Sequence, residues 1–229
     1  MGNKVITSET LNFLKLLETN NNREWFGEHK QNFQKADAET KAFFKELRER
    51  MMTHDEIEKL KMFRIYRDVR FSHDKTPYKS HFAGSFSRAG AQRRGGYYLQ
   101  VKPGGSFAAT GFWEPEKNDL LRIRKELELD AGRFREVINR PSFKKTWGEL
   151  QGEELKTAPK GFNREDENID LIRKKRFIFI RNFPDETVLG ESFLEEVNNS
   201  FREIRPWFDL MSEILTTNLN GESILDQNP

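Results

Sequence analysis

The chain has 229 residues, enough for one substantial hydrophobic core, and its 35% hydrophobic content includes 20 Phe and 4 Trp. It contains no cysteine, which excludes disulfides, thiolate metal sites and cysteine nucleophiles. The sequence has no apolar signal core at its start and no run near the ~20 apolar residues of a membrane span. We therefore expect a cytoplasmic protein with no membrane partner.

The first quarter of the sequence predicts two helices. Thr7 or Ser8 caps the first helix, and Asn22 caps a second, longer one that Gly27 weakens near its start. Apolar side chains recur at helical spacing in both, so each buries one face. These side chains are Leu11, Phe13, Leu14 and Leu17 in the first helix, and Trp25, Phe26, Phe33, Phe43, Phe44 and Leu47 in the second.

The middle of the sequence predicts strands. The pattern over 62–71 has period two, so Ile65, Arg67, Val69 and Phe71 share one face of a strand, and Arg64, Tyr66, Asp68 and Arg70 share the other. A turn near Thr76-Pro77 leads to a second strand over 81–88. Pro103-Gly104-Gly105 then predicts a hairpin between strands over 97–102 and 107–113.

The remainder predicts further helices and one late strand. Helices are expected over 115–129, 131–138 and 141–150, and a final helix over 191–219 is expected to kink at Pro206. The continuous apolar run 177–180 predicts a strand in a central position. These elements indicate an α+β fold with a single, mainly antiparallel sheet of about five strands, covered by helices from the N- and C-terminal parts. We expect one domain over 1–229, with a frayed tail from about residue 220.

Charge is distributed unevenly along the chain. The formal net charge of the whole chain is +2, but the segment 60–102 alone carries +8, so the remainder carries −6. This asymmetry predicts a positive face built from the middle third.

The segment 64–79 holds the densest set of charges and predicts a binding site for a small anion that carries phosphate or carboxylate groups. Arg67 is the sharpest case, because an unpaired guanidinium on the apolar face of a strand would cost several kcal/mol. Asp68 and Asp74 would orient the cations. The predicted ligand-binding residues are Arg64, Arg67, Arg70, Lys75, Tyr78 and Lys79.

The basic, glycine-rich connection 88–96 is either a solvated loop or a lid that brings Arg93 or Arg94 to the same anion. It lacks the spacing of a phosphate-binding loop.

Two other hypotheses compete with anion binding. In the first, the acids and arginines of 64–79 form an internal ion-pair network with a structural or protein-interaction role. In the second, which is less favoured, the basic segment binds nucleic acid and tyrosines stack on bases. Those tyrosines are Tyr66, Tyr78, Tyr97 and Tyr98.

The sequence specifies no metal, cofactor or reaction. His29, His54, His73 and His81 lack metal-binding spacing, and the cations around Asp68 and Asp74 oppose Mg²⁺. No nucleophile stands beside a base, so whether the protein is an enzyme remains open, as does its oligomeric state.

Four stretches of the sequence resemble a known family. The longest is Arg64-x-x-Arg67-Asp68-x-Arg70-Phe71-x-x-Asp74-Lys75-x-Pro77-Tyr78-Lys79. The others are Asn20-Asn21-Asn22-Arg23-Glu24-Trp25-Phe26, Gly96-Tyr97-Tyr98-Leu99 and Pro159-Lys160-Gly161-Phe162. Together they resemble the uncharacterised, largely bacterial domain-of-unknown-function family 2461. The resemblance implies no reaction, cofactor or catalytic residue.

Overall fold

The computed structural model describes residues 4–225. Ten helices and five strands lie within these residues. The helices are α1 (Ser8–Thr19), α2 (Arg23–Glu28), α3 (Lys30–Met51), α4 (Lys117–Leu129), α5 (Gly132–Ile138), α6 (Pro141–Trp147), α7 (Ile169–Ile172), α8 (Asp185–Val188), α9 (Phe193–Glu203) and α10 (Arg205–Thr216). The strands are β1 (Ile57–Met62), β2 (Phe82–Arg88), β3 (Gly96–Val101), β4 (Ser106–Phe112) and β5 (Phe177–Phe183).

The five strands form one antiparallel sheet, in which they lie in chain order from β1 to β5. The hairpin between β3 and β4 is confirmed, and Gly104 at its turn has φ +65, which glycine adopts without steric cost. Helices precede, interrupt and follow these strands along the chain. The predicted α+β class and the strand count are therefore confirmed.

The N-terminal helices begin close to the predicted residues, with two differences. Thr7 stands at the N-cap position of α1, but its side chain makes no capping hydrogen bond, and its hydroxyl donates to Glu39 at 2.9 Å. The side chain of Asn22 accepts a hydrogen bond of 2.9 Å from Trp25 N and so caps α2. The predicted long second helix is divided at His29, which ends α2 and precedes α3. The His29 ring stacks on Trp25 at 4.0 Å, and its Nδ1 donates to the Trp25 carbonyl. This side-chain bond competes with the helical backbone bonds and favours a break there.

The prediction of a strand over 62–71 is wrong. The regular strand lies earlier, at Ile57–Met62, and only Tyr66 bridges to another residue, Tyr78. Asp68 accepts a hydrogen bond from Arg70 N, and Asp74 accepts one from Thr76 N, at 3.2 and 2.9 Å. Such bonds to the amide two residues on turn the backbone out of an extended ladder.

The predicted alternation of faces still appears in the burial of 64–70. Ile65 is buried and Arg67 and Val69 are partly buried, whereas the residues between them are exposed. Phe71 departs from the pattern, because 95% of it is exposed. The alternation therefore ends where the chain enters the loop.

Two late elements also differ from expectation. β5 is not central, since it ends the strand order, but Gln151 forms an isolated antiparallel bridge to Ile178. Covering the edge in this way explains a nearly continuous apolar sequence at the end of a sheet. The predicted final helix is two helices, α9 and α10, and Pro206 stands in the first turn of α10, where its missing N–H costs nothing.

The chain forms two compact units by contact. The first contains the chain up to Phe86, Tyr98–Ala108 and Asn182–Asn199. A cluster of buried side chains within it includes Phe13, Leu14, Leu17, Phe26, Ala36, Ile65, Tyr78 and Phe82. These side chains come from α1, α2, α3, the 64–79 segment and β2, so the charged segment rests on an apolar base.

The second unit contains Ser87–Tyr97, Ala109–Arg181 and the chain from Ser200 on. Its core centres on Trp207, which contacts the rings of Phe112, Phe134, Phe179 and Phe208 at centroid distances of 5.1–6.3 Å. Edge-on and tilted ring packing of this kind fills the core with large aromatic side chains. The single domain over 1–229 stays a prediction.

The predicted frayed tail lies partly outside the described residues. Up to residue 225, Thr217 bridges to Ser223, and the side chain of Asn218 donates to Glu222 at 2.7 Å.

Of the helices between residues 4 and 225, none combines the length and the apolarity needed to cross a bilayer.

Candidate functional site

Two short segments pair to position the basic motif of residues 64–79. Arg67 N donates to Pro77 O at 2.9 Å, and Lys79 N donates to Ile65 O at 2.8 Å. These two bonds flank the bridge between Tyr66 and Tyr78 and close the loop 68–76. The motif is therefore a minimal hairpin with a long loop, and its ends are held more firmly than its tip.

Asn21, just beyond α1, holds the second arm of this hairpin. Its side-chain amide donates to Tyr78 O at 2.9 Å and accepts from Tyr78 N at 3.1 Å. The Tyr78 ring is buried and stacks on Phe26 at 4.0 Å. Burial is the main cause that raises the pKa of the Tyr78 hydroxyl. Tyr78, predicted to bind ligand, thus also anchors the hairpin.

A cleft of about 490 Å³ opens between the hairpin and the end of α1. We call it the Lys79 cleft. It is lined by Glu18, Asn21, Arg67, Asp74, Thr76, Tyr78, Lys79, Ser80 and His81.

Arg67 is held within the cleft by one of its nitrogens. Its Nη1 donates to the carboxylate of Asp74 and to the hydroxyl of Thr76. The Thr76 hydroxyl in turn donates to Asp74 at 2.8 Å. The backbone N–H of Thr76, followed by Arg67, lowers the pKa of Asp74 to about 2. Asp74 is therefore ionised at neutral pH and fixes the direction of the guanidinium.

Lys79 has a different environment. Within residues 4–225 its ammonium has no carboxylate partner, and it lies 5.5 Å from the centre of the Phe63 ring. Burial, and then the charges of Arg64 and Arg67, lower the pKa of Lys79. Burial is also the main cause that lowers the pKa of His81 to about 4, with Lys79 and Lys102 contributing. The ring of His81 is therefore neutral at pH 7.

The other acid of the cleft is already engaged. Glu18 pairs with Lys102 at 2.9 Å and accepts a hydrogen bond of 3.2 Å from Ser80. The bond from Lys102 is the main cause that lowers the pKa of Glu18. Both acids of the cleft, Glu18 and Asp74, thus have cationic partners other than Lys79.

Three of the six predicted ligand-binding residues do not line this cleft. Arg70 pairs with Asp68 at 2.7 Å on the surface, and this pair is the main cause that lowers the pKa of Asp68. Lys75 donates to Val69 O at 2.9 Å. Arg64 is exposed and, among the described residues, forms no ion pair. The ligand-binding roles of Arg64, Arg70 and Lys75 stay predictions.

The connection predicted as a lid packs against helices of the second unit. Arg94 pairs with Asp119 of α4, and its backbone N–H donates to Ser212 of α10 at 2.9 Å. Arg93 donates to Ala89 O within the loop at 3.3 Å. Neither arginine lines the Lys79 cleft, and Arg94 instead lines a cavity of about 260 Å³ with Asp119. The lid role stays a prediction.

The tyrosines named for base stacking differ in exposure. The rings of Tyr78 and Tyr97 are buried, whereas Tyr66 is half exposed and Tyr98 partly buried. A ring must present a face to stack on a base. Tyr66 is therefore the one of the four placed best for that role.

Residues 4–225 show no candidate metal centre. These residues contain no group of three or more His, Asp or Glu side chains arranged to hold a metal ion.

Sequence reasoning missed several residues of the cleft. Glu18, Asn21 and Ser80 were not predicted, and His81 was considered only as a metal ligand. Asn21 and Tyr78 are 57 residues apart, a separation that periodicity does not bridge. The one available signal was that Asn21 lies in a stretch that resembles the same family as the motif.

Comparison with known proteins gives one match. No curated protein and no solved structure matches the chain. The family described as conserved hypothetical protein (DUF2461) matches residues 9–210, which is most of the chain. The matched region includes every residue that lines the Lys79 cleft. The chain therefore belongs to this family of conserved hypothetical proteins.

Proposed function

We propose that the Lys79 cleft binds a small anion that carries a phosphate or carboxylate group. Arg67 and Lys79 are its direct ligands in this proposal. The observation that supports it is that two cations line one cleft, and part of their hydrogen-bonding and ion-pairing groups has no partner among residues 4–225.

The guanidinium of Arg67 has spare donors on one edge. Its Nη1 bonds to Asp74 and Thr76, while Nε and Nη2 have no hydrogen-bond partner among residues 4–225. The Nε–Nη2 edge presents two parallel N–H groups, the geometry that carboxylate and phosphate oxygens accept in bidentate fashion. The pair with Asp74 thus orients Arg67 and leaves its recognition edge available.

Lys79 supplies the net charge. An anion against its ammonium would relieve the repulsion that Arg64 and Arg67 exert on it. The partly enclosed cleft also screens this attraction less than open solvent would. Arg64 contributes to the potential without lining the cleft.

The internal-network hypothesis accounts for three other members of the motif, Asp68, Arg70 and Lys75. Arg70 with Asp68, and Lys75 with Val69 O, stabilise the loop from the solvent side. An exposed ion pair adds little to the stability of a fold, so Arg70 and Asp68 shape the loop more than they stabilise the protein. The motif then combines a positioning network with a binding pair.

Thermal unfolding at constant ionic strength tests the proposal, with sodium phosphate replacing sodium chloride. Phosphate at ten times its Kd stabilises a protein by about 1.4 kcal/mol. For a chain of this length that corresponds to a rise in Tm of roughly 3–6 °C. We expect this rise in the wild type and its loss in Lys79→Met.

Lys75→Met is the matched control, because Lys75 belongs to the same motif but lies outside the cleft. It should keep the response to phosphate. Isothermal titration with phosphate, citrate and inorganic polyphosphate would then rank the anions. No response in the wild type to any of them, or an equal loss in both variants, would contradict the proposal.

A further inference from the structure

We propose that Lys79 is a nucleophile that forms an imine with a small 2-oxo acid bound in its cleft. This inference rests on the proposed anion site, because the carboxylate of the oxo acid is what the cleft would hold. It adds a covalent step that anion binding alone does not require.

The geometry of the cleft suits such a ligand. A 2-oxo acid carries a carboxylate and an adjacent ketone, so the edge of Arg67 can hold the first while an amine meets the second. Lys79 lines the same cleft, and its nitrogen is not engaged by a carboxylate among the described residues. A lysine paired with a carboxylate would stay protonated, so the lack of such a partner among the described residues decides whether the neutral amine is available.

The electrostatic environment supports the same role. Burial and neighbouring cations lower the pKa of Lys79, and both are recognised means of exposing the neutral amine of a lysine. The groups around it are Arg64, Arg67 and Lys102 as cations, Glu18 and Asp74 as engaged acids, and the neutral side chains of Tyr78 and His81. The neutral His81 ring adds a hydrogen-bonding group without adding charge.

The step balances without an oxidant or reductant. The lone pair of Lys79 Nζ attacks the ketone carbon, a C–N bond forms, and the carbonyl oxygen takes a proton to give a carbinolamine. Loss of water then breaks the C–O bond and leaves a protonated imine. Overall, one ammonium and one ketone give one iminium and one water.

Reductive trapping tests the inference directly. The full chain is incubated with pyruvate and sodium cyanoborohydride near neutral pH, and peptide mass spectrometry then locates any reduced adduct. We expect saturable labelling at Lys79, and competition by inorganic phosphate. Labelling spread evenly over surface lysines, with none preferred at Lys79, would overturn the inference.

Lys79→Arg separates the two proposals, because it keeps the positive charge and removes the primary amine. This variant should keep its thermal response to phosphate and lose the adduct. Lys75→Arg, changed in the same way outside the cleft, should keep both. If phosphate stabilises the wild type but pyruvate gives no adduct at Lys79, the imine is wrong and the anion site stands. If phosphate has no effect on the wild type, the anion site itself fails.

Discussion

The two basic segments of the chain, 64–79 and 88–96, contain three arginines each but have different structures. In the second, Arg88 is a buried side chain, 1% exposed, that donates to Arg94 O, Ser212 and Asp209 and lies 5.1 Å from the centre of the Phe208 ring. In the first, the bonds of Arg67 come from its own loop, and Lys79 has no acid partner among the described residues.

The difference shows that the density of basic residues does not identify a binding site. A guanidinium surrounded by carbonyl, hydroxyl and carboxylate oxygens has its donors satisfied and contributes to the fold. A cation in a cleft with unused donors retains capacity for a ligand. The two cases differ in the groups that contact the cation, and the following variants test that difference.

Gly95→Ala should give the largest loss of stability. Gly95 has φ +88, and a Cβ there would lie 2.4 Å from Cε1 of Phe208, so strain and overpacking add. Together they should lower the free energy of unfolding by about 2–5 kcal/mol, measured by urea denaturation.

Gly104→Ala is its control, because Gly104 also has positive φ but has open space around it. It should cost only about 1–2 kcal/mol. Equal costs at the two glycines would show that the 88–96 loop is not packed tightly against Phe208.

Arg88→Met should be the next largest effect. The variant removes the guanidinium donor from Arg94 O and one of two donors from Ser212, which should cost about 2–4 kcal/mol in the free energy of unfolding. The same change at exposed Arg64 should stay within about 0.5 kcal/mol. A comparable loss at both positions would break the distinction between the two segments.

His81, just after the first segment, should make stability depend on pH. Its folded pKa of about 4 lies below the ordinary 6.5, so the unfolded chain binds the extra proton. The stabilisation is complete above pH 6.5 and is lost as the pH falls toward 4. His81→Gln should remove this slope from urea denaturation curves.

Adding phosphate tests the same histidine in a second way, because a bound anion favours the protonated imidazolium form of its ring. We expect the NMR titration of the His81 ring to shift to higher pH when phosphate is added. An unchanged titration in saturating phosphate would place the anion elsewhere.

Asp74→Asn should have the smallest effect on stability, because Asp74 is largely exposed. Its pKa of about 2 lies below the ordinary 3.8, so the carboxylate stabilises the fold above about pH 4 and loses that contribution as the pH falls toward 2. The difference in urea midpoint between wild type and variant should therefore shrink over this range. A constant difference would mean that the charge of Asp74 does not contribute to the stability of the fold.

Local interactions could be predicted from the sequence. The Asn22 cap, the hairpin at Gly104 and the helix pattern of α1 each depend on residues a few positions apart. The sequence also predicted the right fold class. The prediction of a strand over 62–71 was wrong although the alternation of buried and exposed residues was correct. The turns at Asp68 and Asp74 take the backbone out of an extended conformation.

What the sequence by itself determined is therefore the α+β class, the Asn22 cap, the hairpin turn at Gly104, and a basic segment with Arg67 on its inner face. Only the tertiary structure decided which cations were satisfied. That depends on partners distant in sequence, such as Asn21 for Tyr78 and Glu18 for Lys102. Hydrogen bonds and ion pairs act over a few ångströms, so a cation's availability is a property of the folded neighbourhood and not of the residues beside it in the chain.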